Sequence, residues 1–84
     1  MRRYPYLLLK HSDGIVMLNA VASIHPSTDS VVIKLVNGDL IECFSSKDEF
    51  EVHHVYIELI KWIEKQNNYH QGEFKYHVFD FNSF

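Results

Sequence analysis

The sequence predicts an α+β domain: an antiparallel β-meander of about four to five short strands, one amphipathic helix packed on the sheet, and a C-terminal strand. Three observations carry this. The turn-forming dipeptides Asp13-Gly14 and Asn37-Gly38 each separate two apolar runs. A single stretch of helical periodicity starts near Ser46 and stops at Asn67-Asn68. An alternating, aromatic segment from Glu73 to Asp80 follows it. No linker, internal repeat or low-complexity segment divides the 84 residues, so one small domain spanning residues 1–84 is expected.

Tyr4 to His11 reads as the first strand, and Pro5, lacking an amide hydrogen, suits the start or edge of a sheet. Asp13-Gly14 is expected as the central pair of a tight turn, where both positions favour positive φ, and Ile15 to Leu18 returns as a second strand. Asn19-Ala20 is a break. Val21 to His25 is a short extended piece, closed by Pro26-Ser27-Thr28-Asp29. Ser30 to Val36 and Asp39 to Phe44, joined by Asn37-Gly38, form the clearest hairpin in the chain. With Asn37 and Gly38 as the whole loop, Leu35 faces Leu40, Ile33 faces Glu42 and Val31 faces Phe44 on the core side. Val32, Lys34, Val36, Asp39, Ile41 and Cys43 then share a second side, drier than a solvated face requires.

Ser46 followed by Glu49 fits a capping box, and Asp48 and Glu49 place negative charge at the positive end of the helix dipole. Val52, Val55, Tyr56, Leu59, Ile60, Trp62, Ile63 and Gln66 fall within an arc of about 160°, the stripe expected to lie on the sheet. Glu51, Glu58, Lys61 and Lys65 populate the opposite side. Phe50 and Ile57 miss the stripe and share a flank with His53 and Glu64. Asn67-Asn68 and Gly72 end the helix. In the last strand Phe74, Tyr76 and Val78 have one parity, Phe79 and Phe81 the other, which calls for a bulge or for two apolar faces. Whether this strand joins the sheet parallel or antiparallel is left open.

Composition narrows the function classes. The apolar fraction of 46% with 23% charged residues is that of an ordinary globular chain. Eight Lys and Arg against eleven Asp and Glu leave no basic stripe for phosphates, and Arg2-Arg3 is the sole basic cluster, so nucleic-acid binding is not expected. The run Tyr6 to Leu9 is too short for a secretory core, and no apolar stretch approaches the ~20 residues needed to cross a bilayer. A cytoplasmic setting without a membrane partner is expected.

No catalytic, cofactor or metal constellation emerges. His53-His54 are adjacent on a helix, about 100° apart, and do not chelate as a pair three or four residues apart does. His11, His25, His70 and His77 lie elsewhere. Asp48, Glu49 and Glu51 are accounted for by capping and dipole complementarity. Glu42 is the one acid expected on the core side, its head reaching water at the sheet margin. Cys43, the single cysteine, forms no internal disulfide and, lying mid-strand, is expected as a small buried hydrophobe. Gly14, Gly38 and Gly72 are isolated turn glycines, not a phosphate-cradling loop.

Gly14, Leu18-Asn19, Ser23-Ile24, Thr28-Asp29, the Val31–Leu35 strand with Asn37-Gly38, Ser45-Ser46 and the following helix together resemble the small flagellar-operon proteins of the FlbD-like family, from Leu8 to about Lys65. The resemblance implies a strand meander followed by one helix and no catalytic role. The same strand, Asn-Gly, strand rhythm is similar to that of small DNA-binding regulator domains of the LytTR kind. The aromatic segment beyond His70 departs from the flagellar pattern, and only topology is carried over.

The expected function is therefore a non-enzymatic protein-interaction or self-associating module, a homodimer or the binder of another protein. The alternative is a small regulatory domain associated with nucleic acid or a transcription or phage-type complex, which requires Arg2, Arg3, Lys10, Lys34 and Lys75 to gather on one face. The aromatic fraction of 14% exceeds what so small a core readily holds, which places the candidate interaction surface on apolar residues left over. These are Val32, Val36 and Ile41 on the hairpin, Phe50 and Ile57 on the helix flank, and Phe79, Phe81 and Phe84 at the end of the chain.

Overall fold

A computed structural model of the chain describes residues 7–67 and 76–84. Arg2, Arg3, Tyr4, Pro5, Asn68, His70, Gly72, Phe74 and Lys75, which entered the sequence reading, lie outside the described residues. The elements run β1 (Leu7–His11), β2 (Gly14–Met17), β3 (Val21–Pro26), β4 (Ser30–Leu35), β5 (Leu40–Ser45), α1 (Glu49–Asn67) and β6 (His77–Asp80). A 3-10 turn, Leu18–Ala20, makes the break between β2 and β3, and a second, Phe81–Ser83, follows β6. The fold is α+β, with the strands divided between two three-stranded sheets of order β2-β1-β6 and β3-β4-β5.

The β3-β4-β5 sheet is an antiparallel meander. Its second hairpin corrects the two-residue loop. The Gly38 amide donates to the Leu35 carbonyl at 2.9 Å and the Leu35 amide to the Asp39 carbonyl at 2.8 Å, so the loop is the three residues Val36-Asn37-Gly38. Only Gly38, at φ 95°, takes the left-handed conformation, sparing Asn37 a positive φ that a two-residue turn demands. The added residue moves the pairing to Lys34↔Leu40, Ile33↔Ile41 and Val32↔Glu42. Because side chains alternate, Ile41 now points into the core, and Leu40 and Glu42 point out. The expected Leu35–Leu40 and Ile33–Glu42 pairs are thus replaced. Exchanging a carboxylate for an isoleucine on the inner face also removes a desolvation cost. A bulge at Cys43 restores Val31↔Phe44, as the sequence predicts, and turns both Cys43 and Phe44 toward the core.

The helix starts later than the capping box predicts. Asp48 is the cap: its carbonyl accepts from the Val52 amide at 3.2 Å and its Oδ1 from the Phe50 amide at 2.9 Å. A carboxylate at this position satisfies an orphan amide and meets the positive end of the dipole, a stronger acceptor than a hydroxyl. Ser46 instead accepts from the Asp48 amide through its Oγ at 3.1 Å, while its own amide donates to the Asp29 carbonyl. The β5–α1 link is thereby tied to the β3–β4 turn. Along α1, Val52, Val55 and Leu59 are fully buried, and Tyr56, Trp62 and Ile63 pack against the same core. The stripe read from helical spacing is the buried face.

In the other sheet β1 is central, antiparallel to β2 and parallel to β6. The β1–β2 loop is Ser12-Asp13, one residue earlier than expected, with His11 opposite Gly14. Neither loop residue has a positive φ. The Asp13 amide donates to Nδ1 of the buried His11 at 3.3 Å. In β6 simple alternation holds, with Phe79 inward and Val78 outward and no bulge. The 3-10 turn beyond it, held by the Asn82 amide donating to Asp80 Oδ1 at 2.9 Å, brings Phe81 into the interior. Leu7, Leu9, Phe79 and Phe81 from this side join Val31, Ile33, Cys43 and the helix residues in one core.

Candidate interaction surface

The leftover apolar residues divide sharply. Ile41, Phe79 and Phe81 are not surface groups: Ile41 packs against the core, while Phe79 and Phe81 lie within it. Phe79 makes ring contacts with Trp62 at 5.6 Å, Phe81 at 5.0 Å and Phe84 at 5.5 Å, so the aromatic end of the chain covers its own domain. Phe84 remains about half exposed and meets His54 edge-on at 6.3 Å. Val36 is exposed at the hairpin tip, Phe50 is 81% exposed at the start of α1, and Ile57 is half-buried on the helix flank. Val32 lies on the outer face of the meander, in a row with His25 and Glu42. The neighbouring row there is Ser23, Lys34 and Leu40. With Ile41 and Cys43 turned inward, this second hairpin face is a mixed, solvated one, contrary to the dry face the sequence predicts.

A contiguous apolar surface forms elsewhere, on residues the sequence reading did not single out. Since Leu7, Leu9 and His11 point into the core, Leu8 and Lys10 point outward from β1. Leu8 pairs with Met17 on one side and Val78 on the other; Lys10 pairs with Ile15 and Asp80. The outer face of the β2-β1-β6 sheet therefore carries two rows, Met17–Leu8–Val78 and Ile15–Lys10–Asp80. Ile15 is 58% exposed, Val78 46% and Met17 41%, values that put three large apolar side chains in water beside the half-buried Leu8. The signal in the sequence was Leu7-Leu8-Leu9, apolar on both parities. What hid it was the partner strand: only parallel pairing with β6 sets Val78 beside Leu8.

The polar groups make no comparable site. Among the described residues no group of three or more His, Cys, Asp or Glu is placed to hold a metal ion. The closest approach to a catalytic pair is Ser23 Oγ and His25 Nε2, 2.7 Å apart on the outer face of β3. It is exposed and belongs to residues two apart on one strand. Burial pushes the Cys43 thiol up to about 11, which leaves it protonated and unreactive at neutral pH. Lys10 and Lys34, two of the cations a nucleic-acid face requires, stand on the outer faces of different sheets. No helix among the described residues is long and apolar enough to cross a membrane.

The fold and this surface define a class: a small α+β domain with one helix packed on its sheets and, among the described residues, apolar side chains on the outer face of the β2-β1-β6 sheet. No family model, curated protein or solved structure matches the chain. The likeness to the FlbD-like proteins rests on the residues quoted for it alone.

Proposed function

We propose that this chain is a non-enzymatic protein-interaction module working through the outer face of the β2-β1-β6 sheet. One observation supports the reading above the others: Leu8, Met17 and Val78 form an unbroken apolar row across all three strands. A row of this kind on a sheet with a buried opposite face is a surface that gains by being covered, at roughly 25 cal/mol per Å² of apolar area removed from water. The fitting occupant is protein, a second copy or a different chain, in a cytoplasmic setting.

Photocrosslinking tests this. A photoreactive amino acid in place of Val78, in cells that make the protein, is expected to yield a protein adduct. The same group in place of Glu42, on the outer face of the meander, is expected to yield far less. Equal labelling from both positions, or none from position 78, would refute the reading.

A further inference from the structure

We infer that Asn37 and Gly38, at the tip of the β4–β5 hairpin, are a site of spontaneous covalent modification. Asn37 loses ammonia to its own backbone and becomes a mixture of aspartate and isoaspartate, at a rate held back by the hydrogen bond between Gly38 and Leu35. The nucleophile is the Gly38 peptide nitrogen, and the electrophile is Cγ of the neighbouring Asn37 carboxamide. Two such groups in one chain meet at high effective concentration. Glycine puts no side chain in the way of the attack, and apart from its chain neighbours nothing lies within 4 Å of where a Gly38 Cβ would stand. Val36, Asn37, Gly38, Asp39 and Leu40 are all exposed, so water reaches the site.

In the first step the Gly38 nitrogen bonds to Cγ and the Cγ–Nδ2 bond breaks. Nδ2 leaves as ammonia, carrying the proton that the Gly38 nitrogen gives up, and a five-membered succinimide remains. In the second step water adds to one of the two ring carbonyl carbons, the bond from that carbon to nitrogen breaks, and the nitrogen regains a proton. Opening at Cγ gives aspartate. Opening at the main-chain carbon gives isoaspartate, whose main chain runs through Cβ and Cγ. The balance is one water in and one ammonia out, with no oxidant or reductant.

The hairpin acts on the first step in two opposed ways. The Asp39 amide donates to Asn37 Oδ1 at 2.9 Å, where negative charge develops during the attack, and Asn37 Nδ2 donates to Asp39 Oδ2 at 3.2 Å. Against this, the Gly38 amide donates to the Leu35 carbonyl at 2.9 Å, and the nitrogen must shed that same hydrogen to react. The second effect sets the rate, because no bond to Cγ forms until the nitrogen is free. An exposed hairpin tip opens locally far more often than the whole domain unfolds, so the reaction is slowed and not prevented. Isoaspartate adds one main-chain atom to the loop whose length turns Ile41 inward and Leu40 outward.

The test is to hold the full chain at neutral pH and physiological temperature for several weeks and map it by mass spectrometry, with fragmentation that distinguishes isoaspartate. Residue 37 is expected to gain one dalton several-fold faster than Asn19 or Asn82, with isoaspartate as the larger product. Asn37→Gln keeps the carboxamide but closes only a six-membered ring, and is expected to abolish the gain at this position. In urea, where the bond to Leu35 is released, Asn37 is expected to react several-fold faster than in the folded chain. An Asn37 that stays unmodified, or reacts no faster than Asn19 and Asn82, overturns the site, as does an equal gain at position 37 of Asn37→Gln. Aspartate as the sole product overturns the succinimide route. A folded rate equal to or above the rate in urea overturns the restraint by Leu35.

Discussion

Cys43 shows how a single register shift decides the chemistry of a residue. The sequence places it on the second face of the hairpin, although as a small buried hydrophobe; the bulge at β5 turns it into the core, only 5% exposed. Desolvation penalises the thiolate, so its pKa moves from 9.0 to about 11. The folded state thus holds the proton more tightly than the unfolded one. The stability this contributes is fully present below about 9 and is lost as the pH rises through about 11. The stability advantage of the wild type over Cys43→Ala, measured by urea unfolding, is expected to narrow across that window, and a constant difference would contradict it. Glu42 carries the opposite lesson. Its identity marked it as an awkward core residue, and the register removed it to the surface.

At the scale of elements, the helix and the hairpins form for reasons close to the chain, and their ends are settled by competition between near-equivalent local solutions. Ser46 and Asp48 are both good caps, and the charged acceptor wins. Asp48→Ala is expected to cost about 1 kcal/mol, and Ser46→Ala less, because the hydroxyl satisfies only the amide of the preceding turn. Thermal or urea unfolding of the two variants checks the order; a larger loss at Ser46 would restore the capping box. In both hairpins the turn was legible but its placement was not: the first loop keeps two residues and starts one earlier, and the second gains a third residue. Asn-Gly and Asp-Gly announce a turn, yet in each case glycine alone takes the unusual φ while its neighbour stays in an ordinary conformation. One residue of difference in the loop at 36–38 then exchanges the two faces of the first part of β5.

Across the whole molecule, the long closure from the end of α1 back to β1 decides most. It makes β6 parallel to β1, buries Phe79 and Phe81, and stacks Phe84 on Phe79. A chain of this size has little core to spare. Phe81 is among the largest fully buried side chains, so Phe81→Ala is expected to cost about 3–5 kcal/mol, much of the ~5–15 kcal/mol that holds a domain together. Phe84→Ala should cost far less. Circular dichroism melts of the two variants measure the contrast, and comparable losses would mean that the aromatic tail is not core. The same closure builds the apolar outer face of that sheet, because it carries Val78 to Leu8 and Asp80 to Lys10.

By itself, the sequence determined the α+β class, the existence of the strands and the helix in the described residues and the buried stripe of that helix. These follow from periodicity, turn residues and composition, which act over a few residues and survive without knowledge of partners. Only the tertiary structure decided the division into two sheets, the register within them, the parallel last strand and hence which apolar groups are left in water. Ile41, Phe79 and Phe81 became core while Leu8, Ile15, Met17 and Val78 became surface. The physical reason is that a side chain's face is fixed by pairing, and pairing between β1 and β6 joins residues some seventy positions apart, where no local pattern reports.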